Sequence, residues 1–205
     1  MPYRRKDSYY RRARAAGYRA RSAYKLAELD ARFRILRPGD VVVDLGAWPG
    51  GWLQVAAERV GARGRVVGVD VADIEPLPNA NIRTLTADVR APETIAALAA
   101  ILGRPADIVL SDLAPKLTGV RATDEARGAE LVEAVGGALP VLLRPGGSLL
   151  MKVCMGTGYR STVDEMRSTF AEVRTTRSEA TRERSAELYL VARRYRGPAP
   201  GHVSE

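Results

Sequence analysis

Val41-Val42-Val43-Asp44-Leu45 is an apolar run broken once, by an acid. Such a run predicts a strand buried on both faces, as in a parallel sheet. Similar runs predict strands over 65–70, 82–85, 107–112 and 148–153, with two late strands near 172–176 and 187–194. Between them lie helical patterns over 50–60, 92–102, 124–143 and 162–170. Pro92 suits the first turn of its helix. An earlier helical pattern spans 17–36. Leu26, Leu29, Phe33 and Leu36 recur at the helical period and form its apolar stripe. Arg21, Lys25 and Arg32 form a narrow stripe beside it, so Lys25 sits at the margin of the buried face. Pro38-Gly39 stops this helix. Leu36-Arg37-Pro38-Gly39 and Leu143-Arg144-Pro145-Gly146 are near copies that read as repeated turn chemistry, not an internal duplication.

Alternating strands and helices predict an α/β fold with a Rossmann-like, mostly parallel, doubly wound sheet of seven strands. The expected organisation is a flexible basic segment over 1–16, a single domain over 17–196 and a loose tail over 197–205. Within the domain, 17–37 is the basic helix and 38–196 the core. Ligands of such sheets bind at the carboxyl ends of the strands, so the residues ending each strand are the candidates for chemistry.

Composition narrows that chemistry. The chain has 205 residues, one cysteine (Cys154) and one histidine (His202). A Cys/His zinc site is excluded, no metal is expected, and a Ser-His-Asp or Cys-His centre is disfavoured. One cysteine permits no internal disulfide, which suits the cytoplasm. No apolar run approaches the ~20 residues needed to cross a bilayer. Residues 1–37 hold twelve Lys/Arg and three Asp/Glu, a net +9, whereas the whole chain is +8. The positive charge therefore lies at the front, interleaved with Tyr3, Tyr9, Tyr10, Tyr18 and Tyr24. Arginine with tyrosine suits RNA, through phosphates and unpaired bases. A solvated basic tail, or attraction to an anionic membrane, are the competing readings. Arg11, Arg12, Arg14 and Arg21 are the candidate RNA contacts.

The first strand runs into Gly46-Ala47-Trp48-Pro49-Gly50-Gly51-Trp52. Its glycines allow a tight turn and close approach of a ligand, and the following helix offers free N–H groups to an anion. The spacing is not the dinucleotide G-x-G-x-x-G, and a tight turn without a ligand remains open. Asp70 ends the second strand, where an acid typically accepts hydrogen bonds from ribose hydroxyls of NAD or S-adenosylmethionine alike. Asp88 is a candidate for an adenine amino group or, equally, for a helix N-cap. Asp112 and Lys152 lie at carboxyl ends of what are expected to be neighbouring strands. A buried ammonium is costly unless paired, so they form a candidate centre, against the plainer reading of a lysine reaching out to solvent. Glu187 alone reads as a solvated glutamate.

Arg21-Ser22-Ala23-Tyr24-Lys25-Leu26, Asp44-Leu45-Gly46 with Pro49-Gly50-Gly51-Trp52, Ser111-Asp112-Leu113-Ala114-Pro115, Met151-Lys152-Val153 and Ser185-Ala186-Glu187-Leu188-Tyr189-Leu190-Val191-Ala192 occur in this order. Together they strongly resemble the FtsJ/RlmE family of ribosomal RNA ribose 2′-O-methyltransferases, over nearly the whole chain. The resemblance implies a catalytic Lys-Asp-Lys-Glu tetrad at Lys25, Asp112, Lys152 and Glu187. It implies S-adenosyl-L-methionine as cofactor, held by Gly46, Pro49, Gly50, Gly51, Trp52, Asp70, Asp88 and Asp112. The implied substrate is a uridine in the A-loop of large-subunit ribosomal RNA, met in the large subunit or its precursor; a cytoplasmic location is expected, and a monomer is a guess that the sequence does not decide. In this sequence Trp48 replaces a usual small residue, Lys116 an Asn, and Cys154-Met155 a Phe-Gln. Trp48 is expected either to tighten the pocket or to turn outward, and Lys116 to add a phosphate contact. A tRNA ribose methyltransferase, a non-catalytic ribosome-assembly protein and a nicotinamide-dependent oxidoreductase are the competing functions.

Overall fold

The computed structural model describes residues 6–116, 118–156, 158–181 and 186–197, with side chains from residue 11 onward. Its elements are α1 (Lys6–Ala15), α2 (Ala23–Phe33), β1 (Val41–Leu45), α3 (Gly51–Val60), β2 (Arg65–Asp70), β3 (Ile82–Thr86), α4 (Pro92–Leu102), β4 (Ala106–Ser111), α5 (Arg121–Leu142), β5 (Leu143–Cys154), α6 (Tyr159–Thr169), β6 (Phe170–Thr176) and β7 (Glu187–Tyr195). They build a seven-stranded sheet in the order β3-β2-β1-β4-β5-β7-β6. The first five strands pair in parallel, and β7 runs antiparallel to both β5 and β6. The strand order reverses between β1 and β4, which is where such sheets open a crevice for ligands.

Strand alternation assigns each side chain to a layer. Val41, Val43 and Leu45 pack with Val135, Leu139 and Met166 under α5 and α6. Val42, Leu110, Leu150 and Tyr189 pack with Leu26 and Leu29 of α2 and Leu53 of α3. Residues of the same parity farther along these strands, Asp44, Asp112, Lys152 and Glu187, therefore belong to the α2/α3 side. Lys25 of α2 lies on the layer that meets them. Sequence-distant residues thus converge because four strands, β1, β4, β5 and β7, and one helix share a face.

Two expectations are corrected. Within the segment expected to be flexible, residues 6–15 form α1; residues 1–5 and the tail beyond 197 lie outside the described residues. The helix expected over 17–36 occupies only Ala23–Phe33. Its predecessor segment is held by Arg19, whose guanidinium donates to the carbonyl oxygens of Pro49, Glu75 and Pro76. β5 begins at Leu143 instead of 148, and its copy of the Leu-Arg-Pro-Gly motif is the start of the strand. Gly39 and Gly146 both take left-handed backbone, φ 89° and 78°, so the two copies do share turn chemistry.

Candidate active site

A cavity of ≈ 640 Å³ opens at the carboxyl ends of β1, β2 and β4. Gly46, Trp48, Asp70, Asp88, Asp112 and Lys116 are among its walls. Gly46 has φ 86°, and a Cβ there would come within 2.7 Å of the Leu113 side chain. Only glycine lets the chain turn here and keep the cavity mouth in shape. Asp70 accepts the backbone N–H groups of Trp48 at 3.0 Å and Ala72 at 2.9 Å, which fixes the loop above it. Asp88 holds Arg90 through two side-chain nitrogens and its backbone N–H, and the Arg90 hydrogen bonds keep its carboxyl below the usual carboxylate range. It does not cap α4, whose N-cap is Ala91.

Asp44 was not foreseen as a site residue. It is fully buried, and among the described residues neither carboxylate oxygen has a hydrogen-bond partner. Desolvation, followed by the charges of Asp112 and Asp70, pushes its carboxyl well above the ordinary range. Three acids thus gather at one end of the crevice, and burial beside the other two favours the protonated form of Asp44.

The second group lies beside the cavity. Lys152 Nζ donates to the Asp112 backbone oxygen at 2.7 Å and stands 3.2 Å from its Oδ1. Lys25 Nζ is paired with Glu187 Oε1. Tyr189 joins the two pairs: its hydroxyl lies 3.0 Å from Asp112 Oδ1 and 2.9 Å from Glu187 Oε1. The hydroxyl has one proton and donates to one carboxylate at a time. Burial, then the neighbouring Asp112 and Glu187 charges, raises the Tyr189 hydroxyl far above the ordinary range, so it stays protonated. Burial alone would raise Glu187, but the Lys25 hydrogen bond and charge outweigh it and hold the carboxyl below its usual range. Thr181 adds a hydrogen bond at 3.3 Å. The four residues are thus one hydrogen-bonded network. The sequence reading missed Tyr189, although its place opposite Lys152 follows from strand pairing.

The sequence model of the FtsJ-like methyltransferase family matches residues 18–195. The chain belongs to this family. Among relatives, it is 46% identical over 200 residues to the ribosomal RNA large subunit methyltransferase E of Myxococcus xanthus, covering 96% of this chain and 92% of that one. It is 47% identical over 189 residues to the protein of the same name from Methanothrix thermoacetophila, covering 92% and 72%. Among solved structures, a ribosomal RNA methyltransferase from Plasmodium falciparum superposes with a TM-score of 0.79 at 27% identity, over 88% of this chain and all of that one. Fibrillarin from Aeropyrum pernix, solved with S-adenosyl-L-methionine, shares the fold, with a TM-score of 0.58 at 19% identity over 85% and 75%.

The FtsJ-like methyltransferases depend on S-adenosyl-L-methionine, and the cavity fits that cofactor. Its sulfonium and ammonium are cationic, matching Asp70 and Asp112 of the cavity wall, and its ribose offers hydroxyls to Asp70. Not every residue of the motif faces the cavity. The Trp52 indole is buried, donates Nε1–H to Ser22 O at 2.9 Å and packs against Tyr189, so it braces α2 instead of walling a nucleoside. Gly50 and Gly51 receive the close approach of Arg19 and Ala20. Pro49 lines a neighbouring hollow with Arg14 and Arg19. Trp48 turns outward, 59% exposed, while still lining the cavity mouth. Arg11, Arg12 and Arg14 are exposed on α1, whereas Arg21 is half-buried. Arg12 also lies 5.5 Å from the centroid of the Tyr24 ring, and Tyr18 meets Tyr24 edge-on, so part of this arginine–tyrosine mesh holds α1 and α2 together.

Proposed function

We propose that this protein methylates a ribose 2′-hydroxyl of large-subunit ribosomal RNA, at a uridine of the A-loop, in the cytoplasm. The observation carrying this reading is the network of Lys25, Asp112, Lys152 and Glu187 at the edge of an acid-lined cavity. The family and the names of the relatives support the choice of ribosomal RNA. Among the described residues no helix is long and apolar enough to cross a membrane.

When bound, the cofactor supplies a methyl group already activated by its sulfonium. Asp70 would receive ribose hydroxyls and Asp88 the adenine amino group, and Gly46 leaves room for a ligand at the loop. Asp112 would offset the positive charge. A neutral ribose hydroxyl is a poor nucleophile. Lys152 Nζ takes or shares its proton, or stabilises the developing oxyanion. Asp112 fixes that amine through its carbonyl and its carboxylate. The Lys25–Glu187 pair positions the target nucleotide, and Tyr189 sets the spacing between the pairs. Much of the acceleration comes from holding hydroxyl and methyl in line.

Incubation of unmodified large ribosomal subunits with isotopically labelled S-adenosyl-L-methionine tests the reading. Label is expected at a single ribose, resistant to alkaline hydrolysis and mapped to the A-loop by mass spectrometry. Label on transfer RNA alone, or on a base, would overturn it. Lys152→Ala is expected to abolish transfer while cofactor affinity stays within about threefold of the parent, because the lysine acts on the acceptor.

A further inference from the structure

The near-neutral charge of the chain beyond residue 37 hides a polarity. The five parallel strands all start on the sheet edge away from the tetrad. The turns and strand starts along that edge, residues 37–41, 61–66, 79–83, 103–107 and 143–147, hold six arginines, no lysine and two acids, Asp40 and Asp107. Arg37, Arg63, Arg65, Arg83, Arg104 and Arg144 are all exposed. β7 ends on the same edge, and Arg196 follows it, exposed as well. Adjacent strands lie ~4.8 Å apart, so the row from β3 to β5 is ~19 Å long.

Part of this row braces the fold. The Asp107 carboxylate accepts Arg104 Nη2 and Arg144 Nε, each at 2.6 Å, and the Val41 N–H at 2.8 Å. Arg65 Nη1 donates to the Leu102 carbonyl oxygen at 2.6 Å, which carries it toward the turn that holds Arg104. Asp40 feels the charges of Asp107, Arg37 and Arg144, so these groups adjoin. The ion pairs of the row are Arg104–Asp107 and Arg144–Asp107. Arg37 and Arg63 make none among the described residues. Two acids do not balance six guanidiniums, and like charges held in a row repel until an anion covers them.

We propose that this row is a second RNA-docking surface, which takes the sugar–phosphate backbone of a ribosomal RNA segment distinct from the one that carries the methylated ribose. The inference rests on the ribosomal RNA reading above. β4 spans six residues, so ~20 Å separates the row from Asp112 and Lys152. A nucleotide held at Lys152 does not reach that far, and the row meets backbone from another part of the folded RNA. Guanidinium forks pair with phosphate oxygens two at a time. Such contacts fix register and orientation without reading sequence, which leaves the choice of nucleotide to the tetrad side. An acidic protein partner fits less well, because protein interfaces centre on apolar and aromatic side chains. Of the five large hydrophobics described as exposed, only Val141, near the end of α5, lies toward this edge.

The triple variant Arg37→Gln, Arg63→Gln and Arg83→Gln tests the row and spares the Asp107 cross-links. Its binding to large-subunit ribosomal RNA is expected to weaken about tenfold or more at ~150 mM salt, and the log–log salt slope to flatten by ~2–3, at ~0.9 per duplex phosphate. KM for large subunits rises in step, whereas kcat, the affinity for S-adenosyl-L-homocysteine and the melting temperature stay as in the parent. An unaltered salt slope overturns the proposal, and so does a fall in kcat at unchanged KM.

Modification of the parent protein by phenylglyoxal, followed by peptide mass spectrometry, gives a second readout that needs no variant. Large-subunit RNA is expected to slow modification of Arg37 and Arg63, and polyglutamate is not. Equal modification with and without RNA refutes the docking surface even if the triple variant fails to fold. Equal shielding by polyglutamate also refutes it and assigns the row to an acidic protein. Both binding readouts are independent of turnover. Absence of methyl transfer by the parent would refute the methyltransferase reading, while salt slope and shielding still decide the row.

Discussion

Asp44 and Trp48 illustrate what single residues contribute here. The Asp44 carboxyl has a folded pKa raised above its unfolded value, by burial first and by Asp112 and Asp70 next. A raised acid contributes stability fully below the unfolded pKa, and that contribution is lost as pH rises toward the folded one. Asp44→Asn removes the titration. The melting temperature of the variant relative to the parent is therefore expected to climb as pH rises above the ordinary carboxylate range. A pH-independent difference in scanning calorimetry would contradict the assignment. Trp48 lines the cavity mouth exposed, and the other tryptophan, Trp52, is buried in the core. Addition of S-adenosyl-L-homocysteine is expected to change the fluorescence of Trp52→Phe and to leave that of Trp48→Phe unaltered. A response surviving in Trp48→Phe would remove Trp48 from the cavity mouth.

At the scale of elements, α2 holds the site together from one side. Besides Lys25, it presents Glu28, whose carboxylate accepts the Ser178 hydroxyl at 2.6 Å and the Glu179 N–H at 3.0 Å. Arg32 adds a bond to Thr176 at 2.7 Å. These contacts tie α2 to the segment that brings Thr181 to Glu187. Ser178 is 1% exposed, so Glu28→Ala leaves a buried hydroxyl without its partner, a loss of ~1–3 kcal/mol. The variant is expected to melt lower, to exchange the Glu179 amide faster and to turn over more slowly at unchanged cofactor affinity. Unchanged exchange at Glu179 would show that α2 does not hold this segment. How much of this was legible follows from the same contacts. The apolar runs of β1, β2, β4 and β5 announced themselves, because a strand covered on both faces has no polar alternation to obscure it. α1 did not: its described apolar anchor is Ala13, 1% exposed, with no stripe for a period to reveal. The start of α2 was misplaced because Arg19 trades helix for three loop carbonyls, a tertiary preference invisible in local spacing. Asp112 and Lys152 were legible as a pair at neighbouring strand ends, whereas the roles of Lys25 and Glu187 came through the resemblance. Residue spacing alone did not disclose Tyr189 or Asp44, whose importance lies in strand pairing and in an unpartnered buried charge.

Over the whole molecule, charge is divided as the chemistry requires. The first 37 residues carry +9 and the remaining 168 carry −1, while the cofactor cavity sets Asp70, Asp88, Asp112 and Glu130 beside Arg90, Lys116 and Arg127. A cationic cofactor and a polyanionic RNA are thereby drawn to different surfaces of one protein, and neither competes for the other's place. Cofactor affinity and RNA affinity should then respond separately to the basic helix. Replacing Arg11, Arg12 and Arg14 with alanine removes up to three cations from α1. RNA binding rests on counterion release, with a log–log salt slope of ~0.7 per neutralised phosphate on single strands and ~0.9 on duplex. The slope is expected to flatten by ~2 if all three arginines touch phosphate, and by less if Arg12 serves chiefly to pack on Tyr24. Cofactor binding should be unmoved throughout. Titrations of labelled large-subunit RNA from 50 to 300 mM salt, beside calorimetry with S-adenosyl-L-homocysteine, separate the two effects. An unaltered slope would place the RNA elsewhere on the surface, and a parallel loss of cofactor affinity would mean that α1 acts by supporting the fold.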